Sequence, residues 1–350
     1  MECGVDVSTA ATEEAFSNLT PVAQRALRIV NASPDTFAFT DLTKTKIGGD
    51  QNRFFRLFTP VKRERMRLPT SLPEFRNLRH YAPLSDSPVT TASHLGGHWT
   101  DYNLAAITQV AACNFRCSYC YVDFRHLAGA DSFTAGAADL VDEFVALRAA
   151  MATQGHQLSI LRISGGEPLL APRLLIGVYD ELVRRNLLDR CILKVESNAS
   201  MLPFTAAALD DADRTRLAAV APHVTLHVTI HSRPGTHDWD NIVRGLGVAV
   251  RLGFDLYPAI GGADWPEADM RHLYQVLAGI APGLPLRLAV RPFNLTYAML
   301  RDRRNLPRLG EGNDPPSSVW EGILRESAGI DYLARPRHEI SLTPTVEEAA

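Results

Sequence analysis

Three of the chain's five cysteines, Cys113, Cys117 and Cys120, lie in the stretch QVAACNFRCSYCYVDFR with the spacing C-x3-C-x2-C. In a chain that shows no export signal, thiols bunched in this way are metal ligands or redox centres more often than disulfide partners. Three thiolates on one short loop cannot complete a tetrahedral zinc site unaided. They can hold three irons of a 4Fe–4S cube and leave the fourth iron open. His126 follows closely enough to keep a Cys3His zinc site as the alternative. The remaining cysteines, Cys3 and Cys191, have no partner at ligand spacing and read as inert thiols.

A second stretch, RISGGEPLL, carries chemistry of its own. Gly165 and Gly166 end an apolar, β-prone run and are followed by Glu167 and Pro168. Paired glycines permit close backbone approach and unusual dihedrals, and Glu167 adds a carboxylate suited to an ammonium group. A Gly-Gly-Glu turn alone says little. Placed one strand after a three-cysteine loop, it says much more.

On these two stretches, with aromatic Tyr119 just before the last cysteine, the chain resembles the radical S-adenosylmethionine superfamily from Leu104 to Phe293. The resemblance implies that Cys113, Cys117 and Cys120 ligate a 4Fe–4S cluster. The amine and carboxylate of S-adenosylmethionine would then chelate the remaining iron. It also implies that Tyr119 lies beside the adenine and that Gly165, Gly166 and Glu167 bind the amine, with Pro168 shaping the turn. In ESNAS, Ser197 and Asn198 would bind ribose or carboxylate; Ala199 stands where many relatives have glycine. In VTIHS, Thr229 takes a hydroxyl role, and His231 replaces a residue that is charged in many relatives. His231 is open to ribose binding, proton relay or core packing. Tyr257 and Arg291, on the last two predicted strands, join His231 as catalytic candidates facing the barrel mouth or interior. Arg291 is read either as a clamp for a substrate carboxylate or phosphate or as a buried structural anchor.

The implied activity is reductive cleavage of S-adenosylmethionine followed by hydrogen-atom abstraction from a small metabolite or short peptide. The electron would come from an external donor such as flavodoxin or ferredoxin. Too few cysteines remain for an auxiliary cluster domain, and neither a cobalamin-binding domain nor a basic RNA-binding module is recognisable. That subtraction points to a tailoring enzyme of specialised biosynthesis. A glycyl-radical-enzyme activase is the second enzymatic reading, and a non-catalytic zinc or iron–sulfur binding module is the non-enzymatic one.

These residues need a scaffold. Apolar β-prone runs recur at 104–110, 158–164, 191–197, 224–230, 254–260 and 286–292. Helical patterns separate them at 134–155, 171–188, 204–219, 239–252 and 266–280. Such alternation predicts parallel strands with right-handed crossovers, hence an α/β fold: a partial (β/α)6 TIM-like barrel, or an open doubly wound sheet. The cysteine loop and the Gly-Gly-Glu turn both follow strands, at the carboxyl ends where such folds place their chemistry. The expected organisation is an N-terminal extension over 1–103, a core over 104–293 and a C-terminal extension over 294–350 with a disordered tail. Within the extensions, helices are expected at 21–31 and 318–328, and 60–103 with 294–335 are expected to help seal the site. The basic run Lys62, Arg63, Arg65 and Arg67 reads as a solvated surface strand or a partner-facing loop, with phosphate or RNA contact as the alternative. A net charge of −3 with 21% charged residues disfavours a nucleic-acid partner. No apolar run reaches the ~20 residues of a membrane span, and the N-terminus lacks a secretion signal, so the expected location is the cytoplasm.

Overall fold

The structure, a computed structural model, describes residues 19–47, 52–58, 88–102, 104–236, 238–261, 265–291, 316–331 and 337–343. Its centre is one sheet. Before the cysteine loop come β1 (Asn31–Ser33), β2 (Thr36–Thr40), β3 (Arg56–Phe58) and β4 (Ala105–Val110). After it follow β5 (Ser132–Ala135), β6 (Ile160–Gly165), β7 (Ile192–Ser197), β8 (Val224–Ile230), β9 (Asp255–Gly261) and β10 (Ala289–Arg291). From β4 through β6, β7, β8 and β9 to β10 each neighbouring pair is parallel. Among the described residues the sheet does not close on itself. The predicted α/β architecture with six parallel strands is therefore present.

The crossover helices are Ala137–Thr153, Pro172–Arg184, Leu202–Ala207 with Asp211–Val220, Trp239–Leu252 and Glu267–Ile280. The helix expected over 204–219 is two helices. Asp210 accepts a hydrogen bond from the Asp213 N–H at 2.8 Å and starts a new helix there, as an N-cap aspartate does. The helix over Pro21–Val30 is capped by Thr20 and begins with proline at its first turn. The sixth strand is shorter than expected because Leu284–Arg287 winds into a single helical turn.

The antiparallel part of the sheet was not foreseen. β3 pairs with β4 through Arg56↔Ile107, Leu57↔Ala106 and Phe58↔Ala105. Higher on β4, β2 pairs through Phe39↔Val110, and β5 pairs with β2 on its other side. These strands cover the outer edge of β4, which would otherwise present unpaired backbone groups. Phe54 and Phe133 lock the cover edge-to-face, ring centres 4.7 Å apart. The alternating TFAFT of β2 was a readable signal. The second half of β5 overlaps the start of the helical pattern at 134–155. The Lys62–Arg67 run lies outside the described residues, as do most of 60–103 and 294–335.

Two-residue periodicity along the parallel strands sorts their side chains into two environments. Leu161, Ile163, Leu193, Val195, Leu226 and Val228 join the main hydrophobic core under the helices. On the other face, Ala105, Ile107, Ile160 and Ile192 make a small apolar plug. Above the plug this interior turns polar, with Lys194, His227 and Tyr257 all buried. Tyr257 stacks on His227 with ring centres 5.2 Å apart. At the lower end, Arg287 pairs with Asp255 at 2.6 Å and donates to the Ile340 carbonyl, tying the C-terminal segment beneath the barrel. No described helix is long and apolar enough to cross a membrane.

Burial, with Arg162 nearby, lowers the Lys194 pKa to about 7 from its usual value, against the opposing pull of Glu196. Above that value the folded chain binds fewer protons here than the unfolded chain does, so stability rises with pH. Wild-type protein is expected to gain about 1 kcal/mol between about pH 7.5 and 8.5, and Lys194→Met to lose that gain. Urea denaturation at the two pH values checks it; equal slopes in both proteins would refute it.

Candidate active site

The cysteine loop is rooted where β4 and β6 end side by side. The Gly166 N–H donates to the Val110 carbonyl at 3.1 Å, and the Glu167 N–H donates to the Ala112 carbonyl at 2.7 Å. A side chain at Gly166 would place its first carbon 1.9 Å from the Ala112 oxygen. Gly165 has φ +93°, and an added carbon there would sit 2.3 Å from Gln109 Cβ. The close backbone approach expected of this glycine pair is thus made first of all by the chain's own loop root.

From that root the loop turns its thiols toward one cavity of about 280 Å³ at the carboxyl end of the parallel strands. Cys113, Cys117 and Cys120 are in no disulfide and are half-buried, and all three line it. Backbone N–H groups of Phe115 and Val122 donate to the sulfurs of Cys113 and Cys120. Burial raises the Cys113 pKa, and the Glu167 charge raises it further. A bound metal reverses that preference, since a coordinating thiol loses its proton.

Among the described residues, no three His, Cys, Asp or Glu side chains converge where a single metal ion could sit. His126, the fourth donor of the zinc alternative, lines a different cavity and places Nδ1 3.2 Å from the Ala130 carbonyl. The described donors therefore make no Cys3His set around one ion. Three thiols lining one cavity are the donor set for a 4Fe–4S cluster with one iron left open.

Glu167 is the hub between β6 and β7. Its carboxylate accepts from the Leu169 N–H at 2.9 Å, the Ser197 hydroxyl at 2.6 Å and the Asn198 N–H at 2.7 Å. Burial pushes its pKa up to about 7, although those donors pull the other way. Asn198 reaches back to the cysteine loop, donating to Asn114 Oδ1 at 3.0 Å, while Asn114 donates to the Ser200 hydroxyl at 2.9 Å. Between them Ala199 has φ +59°. That left-handed geometry is one that glycine adopts freely, and a Cβ-bearing residue adopts it at a cost of roughly 1 kcal/mol. Pro168 begins a buried single-turn helix just behind the carboxylate.

The opposite wall comes from β8. Thr229 and His231 line the cavity, and the Tyr119 hydroxyl lies 2.7 Å from His231 Nδ1 in a hydrogen bond. Phe115 packs edge-on against the imidazole, ring centres 6.0 Å apart. Burial lowers the His231 pKa to about 4, which keeps the ring neutral near pH 7, and burial also raises that of Tyr119. The two groups bridge the cysteine loop to the end of β8.

Tyr257 is not brought to this cavity. It pairs in register with His227, below the level at which Thr229 pairs with Ala259. The rim positions on β9 are Ala259 and Gly261, which do line the cavity. Arg291 ends β10 opposite Gly261; its side chain lies outside the described residues.

The sequence reading missed a polar floor. Arg162 pairs with Glu196, Ser164 donates to Glu196 Oε2 at 2.6 Å, and the Tyr121 and Ser164 hydroxyls are 2.7 Å apart. All four residues line the cavity. Burial would raise the Glu196 pKa, but Arg162 and Lys194 outweigh it and hold the carboxyl down at about 2. The signal was available: charges inside the apolar runs LRIS and KVES alternate onto one face.

Comparison with known proteins settles the domain. A profile of the Radical SAM superfamily matches residues 108–277, the span carrying the cysteine loop, the Gly-Gly-Glu turn and the strand ends around the cavity. This region is a radical SAM domain. Radical SAM proteins are enzymes, and the domain implies a 4Fe–4S cluster and S-adenosylmethionine as cofactors. The three-thiol cavity fits that pair. Among solved structures, Streptococcus suis SuiB bound to precursor peptide SuiA is similar at 12% identity, covering 63% of this chain and 46% of that one, with a TM-score of 0.44. SuiB bound to S-adenosylmethionine is similar at 13% identity, covering 76% and 56%, with a TM-score of 0.40. A mutant spore photoproduct lyase is similar at 12% identity, covering 62% and 72%, with a TM-score of 0.40. The chain thus spans about half the length of SuiB. No curated protein matches the chain in sequence.

Proposed function

We propose that this chain is a radical SAM enzyme that cleaves S-adenosylmethionine reductively and abstracts a hydrogen atom from a short peptide or small metabolite in specialised biosynthesis. One observation carries the reading: three cysteines, none in a disulfide, line one cavity whose walls are the ends of β6, β7 and β8. In this reading Cys113, Cys117 and Cys120 hold the cluster, and the radical SAM pair supplies one electron, sulfur–carbon bond cleavage and a 5′-deoxyadenosyl radical. The chain's own groups do the positioning. Glu167 fixes the ends of β6 and β7 relative to the loop, and Asn198 anchors the loop through Asn114. Tyr119 and His231 form the adenosyl side of the cavity, with the imidazole neutral and free of competing charge. Ala259 and Gly261 leave space at the rim for substrate. The polar floor of Arg162, Glu196 and Ser164 would orient that substrate by hydrogen bonds and charge. A flavodoxin or ferredoxin in the cytoplasm would deliver the electron.

Anaerobic reconstitution tests the reading. About four irons per chain are expected, together with dithionite-dependent 5′-deoxyadenosine, and Cys117→Ala is expected to abolish both. Stoichiometric zinc in place of iron, or a fully iron-loaded sample that forms no 5′-deoxyadenosine, would overturn it.

A further inference from the structure

The cysteine loop is held from two neighbouring strand ends. β7 and β8 run side by side in parallel, with Ser197 opposite Val228. At the end of β7, the Asn198 side chain donates to Asn114 Oδ1 at 3.0 Å and lies 3.9 Å from the Cys113 sulfur. Asn114 in turn donates to the Ser200 hydroxyl. This attachment reaches the first cysteine.

The other two cysteines form a unit of their own. The Cys120 N–H donates to the Cys117 carbonyl at 3.0 Å and closes a tight turn with Ser118 and Tyr119 at its centre. A group that fixes Tyr119 therefore fixes the turn and both of its thiols. His231, one residue past the end of β8, is placed to do so. Its Nδ1 lies 2.7 Å from the Tyr119 hydroxyl, and the two ring centres are 5.6 Å apart. From the stretch before Cys117, buried Phe115 packs edge-on against the same imidazole. Both stretches between cysteines thus close on one side chain. The root of that side chain is fixed, since Ile230 just before it pairs in register with Ile260 of β9. Groups carried on strands are placed more precisely than groups carried on loops.

We propose that His231 is a positioning residue for the cluster ligands: through Tyr119 it holds Cys117 and Cys120 in place relative to Cys113, which Asn198 holds from β7. The clamp follows from the chain's own contacts, and its value to catalysis rests on the enzymatic reading above. Losing the Tyr119 hydrogen bond opens the turn while the sheet stays folded, a local opening confined to one half of the loop.

Alkylation of the reduced, iron-free, full-length chain with iodoacetamide, resolved by site with mass spectrometry, tests this. In His231→Gln and in Tyr119→Phe, Cys117 and Cys120 are expected to react about three- to tenfold faster than in wild type, the range set by one net hydrogen bond. Cys113 and buried Cys191 are expected to keep their wild-type rates, which separates a local clamp from general destabilisation. The double variant is expected to react no faster than the faster single one, because both changes remove the same contact. His231→Asn is expected to restore slow alkylation: its amide stands where Nδ1 stood, whereas that of glutamine stands one atom further out. Faster reaction of Cys113 and Cys191 as well would reduce His231 to general support and overturn the proposal. So would wild-type rates in both single variants, or an asparagine variant as fast as the glutamine one. After reconstitution, iron release to a chelator is expected to follow the same order of variants. A chain that takes up no iron overturns the enzymatic reading and leaves the alkylation rates to decide the clamp. Alkylation rates out of this order, with 5′-deoxyadenosine still formed, overturn the clamp alone.

Discussion

Gly166→Ala is expected to unseat the cysteine loop, with a loss of about 3 kcal/mol or more and a fall in Tm of about 4 °C or more. The added carbon would lie 1.9 Å from the Ala112 oxygen, 2.5 Å from its carbonyl carbon and 2.8 Å from the Val110 oxygen. All three are backbone atoms, so no side-chain rotation relieves the overlap. Either β6 or the loop root must move, and the two hydrogen bonds that join them, Gly166 to Val110 and Glu167 to Ala112, stretch or break. Cys113 begins the loop directly after Ala112, so the displacement passes to the first thiol. The variant is expected to retain less than half the iron of wild type after reconstitution. Calorimetric unfolding and iron analysis check both parts; a variant with wild-type Tm and iron content would show that the root is not held as described.

The second large effect is expected at Glu167. Glu167→Ala removes an acceptor used by three donors from three different residues. Each buried donor left without a partner costs about 1–3 kcal/mol, and water entering from the cavity recovers part of it. A net loss of about 3 kcal/mol follows. Glu167→Gln keeps one acceptor oxygen but turns an amide N–H₂ toward donors, so it is expected to lose about half as much. The side chain also sets a pH dependence. Its folded pKa, about 7, lies above that of an unfolded glutamate. The folded state therefore holds this proton more tightly, so its contribution is complete below the unfolded pKa and is lost as pH rises toward 7. His231 acts in the opposite sense across an overlapping window: with a folded pKa of about 4 it loses stability as pH falls below the ordinary histidine range. Removing either group alone is expected to tilt the stability profile below pH 7 in opposite directions, Glu167→Gln toward acid sensitivity and His231→Gln away from it. Urea denaturation across that range distinguishes the two; the same tilt in both variants would contradict the assignments.

Much of the scaffold was legible because parallel strands buried on both faces must be apolar, short and separated by crossover helices. Five of the six predicted strands match to within a residue or two at each end, and the helix at 239–252 matches its pattern throughout. The antiparallel cover of β4 was less legible. Its strands are three to five residues long, and only pairing with a distant edge makes such short pieces strands at all.

For the site, residue type and spacing alone singled out Cys113, Cys117 and Cys120 and the Gly-Gly-Glu turn, while Ala199 drew notice only through the family resemblance. Local chemistry is enough for that: three thiols in one short loop and two adjacent glycines restrict what the backbone and a metal can do, whatever surrounds them. Tertiary structure decided the rest. It gave Ala199 its left-handed φ, joined Tyr119 to His231 across 112 residues, and took the Glu167 oxygens for Ser197 and Asn198. It also set Tyr257 beneath the cavity and raised Arg162, Ser164 and Glu196 to its floor. Those outcomes depend on strand register, and register is fixed by which apolar face the whole sheet buries, a property that no single stretch of the chain contains.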